Sequence, residues 1–174
     1  MEQIRYIQRI CTDENKIEKF LETARTGVLG IAGAEYPYCV PLNYIWKNGN
    51  IYFHGLGSGK KIDLLKENAT VSFLVYQEIG TVKDEMPCHA DTSYMSVMFF
   101  GVVEKLSDYK ESAEILQSIV DKFLPQQYKG KITASLAEQY RSAFDKKAVA
   151  VYKMVPEYKT AKENVADNKD LFRE

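Results

Sequence analysis

Apolar residues at Ile17, Phe20, Leu21 and Ala24 recur at spacings of three, four and seven, which places them on one face of a helix starting behind Thr12 or Asp13. Gly27 marks its stop, and residues 28–31 read as a short strand leading into a turn at Gly33, Ala34 and Glu35. A hairpin is expected there. Over residues 36–45 the period becomes two: Tyr36, Tyr38, Val40, Leu42 and Tyr44 share the face expected to be buried, while Cys39, Pro41, Asn43 and Ile45 share the other. Asn48-Gly49 between two β-type runs predicts a second hairpin, with residues 51–54 as the returning strand. Ser58 is placed to cap a short helix that buries Ile62, Leu64 and Leu65 and ends at Asn68.

Residues 69–76 resume strand character through Val71, Phe73 and Val75, and the polar stretch 77–92 reads as a loop or a ragged strand extension. Residues 94–104 form a long apolar strand in which Gly101 signals a bend or bulge. After Ser107, the residues Ala113, Leu116, Ile119, Val120 and Phe123 have helical spacing up to Pro125, and a second helix is predicted over 133–140. Residues 148–155 form the last strand, which Pro156 is expected to end. Hairpins outnumber strand–helix alternations, so the pattern predicts a mainly β (α+β) fold: a six-stranded antiparallel barrel with flanking helices. The expected organisation is one domain over 1–158, with a helical insert near 108–141, followed by a charged tail over 159–174.

The chain has 174 residues, 45% hydrophobic and 27% charged, which suits a single core. Twenty-three basic against 24 acidic side chains leave a formal charge of −1, so nothing in the overall balance favours nucleic acid. Apolar runs such as 97–100 fall far short of the roughly 20 residues that span a membrane, and the start MEQIRYIQRI has no signal-type apolar region. The expectation is a cytoplasmic protein with no membrane partner. Cys11, Cys39 and Cys88 are odd in number without CxxC spacing, against a disulfide framework or a zinc site. Twelve Tyr and eight Phe fit either a β-rich core or a stacking surface for a planar ligand, and composition does not choose.

The segment Phe53-His54-Gly55-Leu56-Gly57-Ser58-Gly59-Lys60-Lys61 carries the densest chemistry. It combines glycines that allow close backbone approach, a hydroxyl, two cations and a helix start whose free N–H groups favour an anion. That is phosphate-site chemistry without a Walker or GxGxxG pattern; the alternative is a flexible loop with two solvated lysines. Pro41 cannot donate in a central ladder and belongs at an edge or bulge. If residues 40–44 pair across the Asn-Gly hairpin with 51–54, Asn43 and His54 approach one rim, where backbone groups can read the edge of a flat heterocycle. His54 can hold either protonation state near neutrality, or be an ordinary strand-end residue satisfied by a carbonyl. Cys88, His89 and Asp91 read as incidental loop groups, and no metal site is expected. Tyr94, Phe99 and Phe100 read as core or interface aromatics.

The runs ARTGVLGIAG, YPYCVPLNYIWKNGNIYFHGLGSGKKIDLLKENATVSFLV and SYMSVMFFGVVEKL resemble the flavin-binding split-barrel superfamily of pyridoxamine 5′-phosphate oxidase, nearest its nitroimidazole-resistance and nitroreductase-like branch. The resemblance covers roughly residues 24–106. It implies a homodimer with FMN between subunits: Val40, Pro41, Leu42 and Asn43 along the ring and ribityl chain, Phe53 and His54 beside them, Gly59, Lys60 and Lys61 on the phosphate, and Ser96 at a further cofactor contact. His54 would either donate a hydrogen bond to the flavin or protonate the reduced substrate. It further implies electron transfer from NADH, NADPH or another donor to a small organic acceptor such as a nitro-aromatic. Cys39 and Met95 stand where the family oxidase has basic residues, which speaks against vitamin B6 phosphate as substrate. The alternative from another class is a flavin- or haem-binding sensor or storage protein without turnover, with His54 or His89 as axial ligand. A third, a cofactor-free interaction module, predicts a colourless protein.

Overall fold

The structure, a computed structural model, describes residues 4–33, 35–143 and 146–172. Ala34 of the predicted first turn, the first three residues of the chain start and the last two of the expected tail lie outside the described residues.

Helix α1 (Glu14–Thr23) is capped by Asp13, whose side chain accepts from the Lys16 amide at 3.1 Å. Among the described residues seven strands follow: β1 (Thr26–Ile31), β2 (Tyr38–Asn43), β3 (Ile45–Lys47), β4 (Asn50–Leu56), β5 (Thr70–Val82), β6 (Asp91–Lys105) and β7 (Val149–Asn164). They make one antiparallel sheet in the order β2-β1-β5-β6-β7-β4-β3. Helix α2 (Lys60–Glu67) joins β4 to β5, and α3 (Tyr109–Phe123) and α4 (Ala134–Gln139) fill the connection from β6 to β7.

The extra strand comes from Tyr44. The expected run 36–45 breaks there because the Tyr44 side chain turns fully inward, donating its hydroxyl to the Leu21 carbonyl at 2.8 Å and meeting Phe73 edge-on at 5.4 Å. As a result β2 pairs with β1 and β3 pairs with β4, at opposite ends of the sheet order, so the expected pairing of 40–44 with 51–54 does not form. Both hairpins exist as expected. The second turns through Asn48 (φ 51°) and Gly49 (φ 73°), the paired left-handed conformations that match strand twist.

Pro156 does not end the last strand. It sits opposite Gly101, where the register of β6 on β7 slips by one residue after Phe100. Proline has no N–H to lose at a bulge, and Gly101 has no Cβ to strike the Val155 carbonyl that crowds it. Residues 159–164 of the expected tail are therefore sheet. The ragged stretch 77–92 is likewise mostly strand, with a second register slip between Glu78 and Gly80.

Alternating positions bury Leu29, Phe73, Val75, Val97, Phe99, Ile51, Phe53 and Met154 completely against α1 and α2. Each such side chain contributes about 1.5–3 kcal/mol by burial. Helices α3 and α4 pack on the other side of the sheet, where Ala113, Ile115, Leu116, Ile119 and Ala137 cover Ile45, Tyr52 and Val151. Among the described residues no helix is long and apolar enough to cross a membrane.

Candidate functional site

Strand β4 is the backbone of the site because its alternation splits neighbouring residues between two environments. Phe53 points into the core, fully buried and stacked on Tyr152 at 5.4 Å. His54 points the opposite way and is exposed, toward α3. Phe53 therefore offers a ligand only its backbone.

Beyond β4 the chain turns at Gly57 and Ser58 and enters α2. Ser58 is not the cap: Gly59 takes that position at φ 103°, a left-handed conformation, and its carbonyl accepts from the Ile62 and Asp63 amides at 2.8 and 3.0 Å. Lys60 stands exposed at the first helical position. Lys61 folds back over β4, its ammonium 5.4 Å from the Phe53 ring centroid and 2.9 Å from where a Cβ on Gly55 would be. Glycine at 55 is what leaves room for it. Among the described residues no carboxylate pairs with Lys61. Burial holds its ammonium below the ordinary lysine range. His54 keeps contact with solvent, but partial desolvation by the protein around it first, and the Lys61 charge second, hold its imidazole below 6.5. Lys147, which carried no sequence signal, donates to the Ser58 hydroxyl at 3.4 Å from 89 positions away.

A cavity of about 310 Å³ lies between the sheet and the helical insert, lined by Asn43, His54, Leu116, Ile119, Val120, Phe123, Leu124, Ile132 and Tyr140. Asn43 and His54 thus line one cavity, although on strands that are not paired with each other. The cavity wall from α3 is fixed by Lys122, whose ammonium donates to the Ala24 carbonyl at 2.6 Å and the Tyr44 carbonyl at 3.4 Å, over the Tyr44 ring at 4.7 Å. Burial, with Arg25 nearby, lowers its pKa from 10.5 to about 8. Arg25 lies on Phe123 at 4.7 Å and braces the same helix end.

The remaining sequence candidates are dispersed. Val40 and Leu42 turn toward the core, and Pro41 is exposed on β2, an edge strand that tolerates proline. Ser96 lies on the outer face of β6 between Tyr76 and Lys162, outside the cavity. That face carries Leu74 beside Met98, Phe100 stacked on Tyr158 at 4.6 Å, and Tyr76 near Tyr94 at 6.0 Å. His89 stands exposed at the far hairpin, 3.5 Å from Asp84, and the described residues hold no cluster of three metal-ligating side chains. The α3 side of the cavity was visible in sequence only as an apolar helix face, which core packing alone explains equally well.

The family pattern described as pyridoxamine 5′-phosphate oxidase matches residues 13–163. No functionally curated protein matches the chain. Among solved structures it is similar to the flavocytochrome Anf3 from Azotobacter vinelandii, with TM-score 0.75 and 22% identity over 97% of this chain and 77% of that one. It is also similar to an FAD and heme binding protein from Mycobacterium smegmatis, at TM-score 0.72 and 16% identity over 93% and 78%. A third is a candidate 5-nitroimidazole antibiotic resistance protein from Bacteroides thetaiotaomicron, at TM-score 0.67 and 24% identity over 88% and 85%.

Proposed function

We propose that this chain, which belongs to the pyridoxamine 5′-phosphate oxidase family, is an FMN-dependent oxidoreductase that acts as a homodimer on a small organic acceptor, with a 5-nitroimidazole as the first one to test. The observation that carries the reading is a pair of adjacent basic groups, Lys61 and His54, without a carboxylate between them and each held below its ordinary pKa. Such a pair costs the protein free energy until an anion arrives. The glycines around it fit a phosphate, since Gly55 leaves space for the ammonium and the α2 start at Gly59 leaves free N–H groups outward.

In this reading Lys60 and Lys61 hold the FMN phosphate, with Lys147 steadying Ser58 behind them. The open edge of β2 from Val40 to Asn43 lies along the ring and ribityl chain, reading it through backbone groups. FMN when bound supplies the hydride or single-electron chemistry. The chain's own part is orientation, exclusion of water by the α3 cover, and a proton from His54, which is neutral at pH 7 and becomes a donor as the pH falls. The outer face holding Leu74, Met98, Phe100 and Tyr158 is the surface for a second copy, because apolar sheet faces of this kind are seldom left to water.

The test is direct. The purified protein without cofactor should quench added FMN fluorescence with one site per subunit, and the complex should bleach with NADH or NADPH and recover its colour on adding a 5-nitroimidazole. No flavin uptake would reject the reading. Uptake without bleaching by any donor would favour a flavin-binding protein without turnover. The heme and flavin binding of two structural neighbours recommends a spectrum with added haem as well, with exposed His54 as the ligand to watch.

A further inference from the structure

Two serines are buried among the described residues, and only one of them has a partner. Ser93, 1% exposed, donates to the Asn164 carbonyl at 2.8 Å. Ser112, 6% exposed in the first turn of α3, has no hydrogen-bond partner for its hydroxyl among the described residues, whereas Ser118 on the same helix bonds back to the Glu114 carbonyl at 2.9 Å. No fully enclosed side-chain polar atom of the described residues lacks a partner, so the Ser112 hydroxyl reaches open space. The space it borders is a second cavity, of about 320 Å³, between the head of α3, α4 and the start of β7. A hydroxyl on a helix face that is otherwise apolar, with nothing in the protein to bond, points to a bond outside it. The cavity floor is apolar and shallow-sided: Leu116, Ala137, Ala150 and Val151 are all buried. Its rim carries exposed Lys105 from the end of β6 and exposed Glu138 from α4, and among the described residues neither is in an ion pair. Leu116 is the one residue shared with the cavity at His54.

We propose that this cavity binds a free α-amino acid with an apolar side chain, its carboxylate held by Lys105 and the Ser112 hydroxyl, its ammonium by Glu138, and its side chain on the alanine floor. The hydroxyl donates or accepts and so selects nothing by itself; the charges select. A cation and a carboxylate standing unpaired at one rim suit both ends of a zwitterion, whereas a simple anion meets Glu138 and a simple cation meets Lys105. The carboxylate belongs at the Ser112 end because the first turn of α3, a helix of 15 residues, adds the positive end of the helix dipole there. A volume of about 320 Å³ stands at the small end of ligand pockets and suits a molecule of this size. The claim goes beyond the flavin reading and does not depend on it.

Three probes share one ring and differ in charge: L-phenylalanine, 3-phenylpropionate without the ammonium, and 2-phenylethylamine without the carboxylate. Each is titrated by calorimetry into the full chain, with and without FMN, and into two variants, Ser112→Ala and Glu138→Gln. Both variants should fold, since alanine is smaller and a better helix former than serine and Glu138 is exposed; circular dichroism checks them. L-phenylalanine should bind the parent chain, and each analogue about tenfold or more weakly. Ser112→Ala should weaken L-phenylalanine about fivefold, and Glu138→Gln should weaken it while leaving 3-phenylpropionate no weaker than before. No binding of L-phenylalanine by the parent chain would overturn the assignment and leave Ser112 to water. So would equal binding of the three probes, or an L-phenylalanine affinity unchanged in both folded variants. Loss of binding on loading FMN would make the cavity part of the flavin's own seat and overturn it too. If the chain takes up no FMN, the function above fails, and the titrations without FMN still decide the cavity.

Discussion

Replacing Lys61 with methionine isolates the charge at the proposed phosphate site, because methionine keeps the unbranched stem that lies on Phe53 and fits over Gly55. A charge-assisted hydrogen bond contributes about 1.5–3 kcal/mol. Losing one should therefore weaken FMN binding between about tenfold and about 150-fold. The folded protein without cofactor should lose nothing, since the ammonium is desolvated with no carboxylate to compensate it, and its denaturation midpoint should stay or rise. His54 provides a third readout. Partial desolvation is the larger cause of its low pKa and Lys61 the smaller, so the variant's His54 should titrate part of the way back toward 6.5. A base with a native pKa below its unfolded value binds more protons when unfolded, so native stability falls as the pH drops through 6.5. That fall should be shallower in the variant. Flavin fluorescence titration, urea melts and the His54 ring-proton shift measure the three. A folded variant with FMN affinity within about twofold of the parent and an unmoved His54 would refute the reasoning.

Lys122→Met should reveal the opposite end of the cavity wall: with a native pKa of about 8 against 10.5 unfolded, the parent gains stability relative to the variant as the pH rises from 8 to 10.5, by on the order of 1 kcal/mol after solvent screening, read by urea melts at pH 7.5 and 10. Gly101→Ala should cost about 3 kcal/mol, because the new methyl meets the Val155 carbonyl and a backbone atom cannot swing aside; an unchanged thermal midpoint would contradict the packing described. Leu74→Glu, on the outer sheet face, should convert the expected dimer to a monomer in sedimentation velocity while leaving circular dichroism unchanged, and a retained dimer would move the contact elsewhere.

Local rules carried much of the fold. The Asn48-Gly49 turn, the Asp13 cap, the α3 periodicity and the Gly101 bulge are each written within a few residues, and each is present. What failed needed a distant partner. Whether Pro156 ends a strand depends on Gly101 opposite it, and whether residues 36–45 stay continuous depends on Leu21 receiving the Tyr44 hydroxyl. At the site, the glycine and lysine run was legible because helix starts and backbone room are local properties. Which face of β4 Phe53 takes was not legible, because alternation along the strand assigns faces only after one residue is anchored. Lys147 and Tyr140 reach their places through a connection of more than eighty residues and left no pattern to find.

The single inward residue between β2 and β3 has a bearing on how this protein fails. Exposed sheet borders recruit other chains and seed fibres. Here the two outermost strands are successive stretches of chain, both leaving from Tyr44 and its tether to Leu21, so one anchor restrains both borders. Losing that hydroxyl would free two adhesive margins at once, and clumping on mild heating would then precede any general loss of secondary structure.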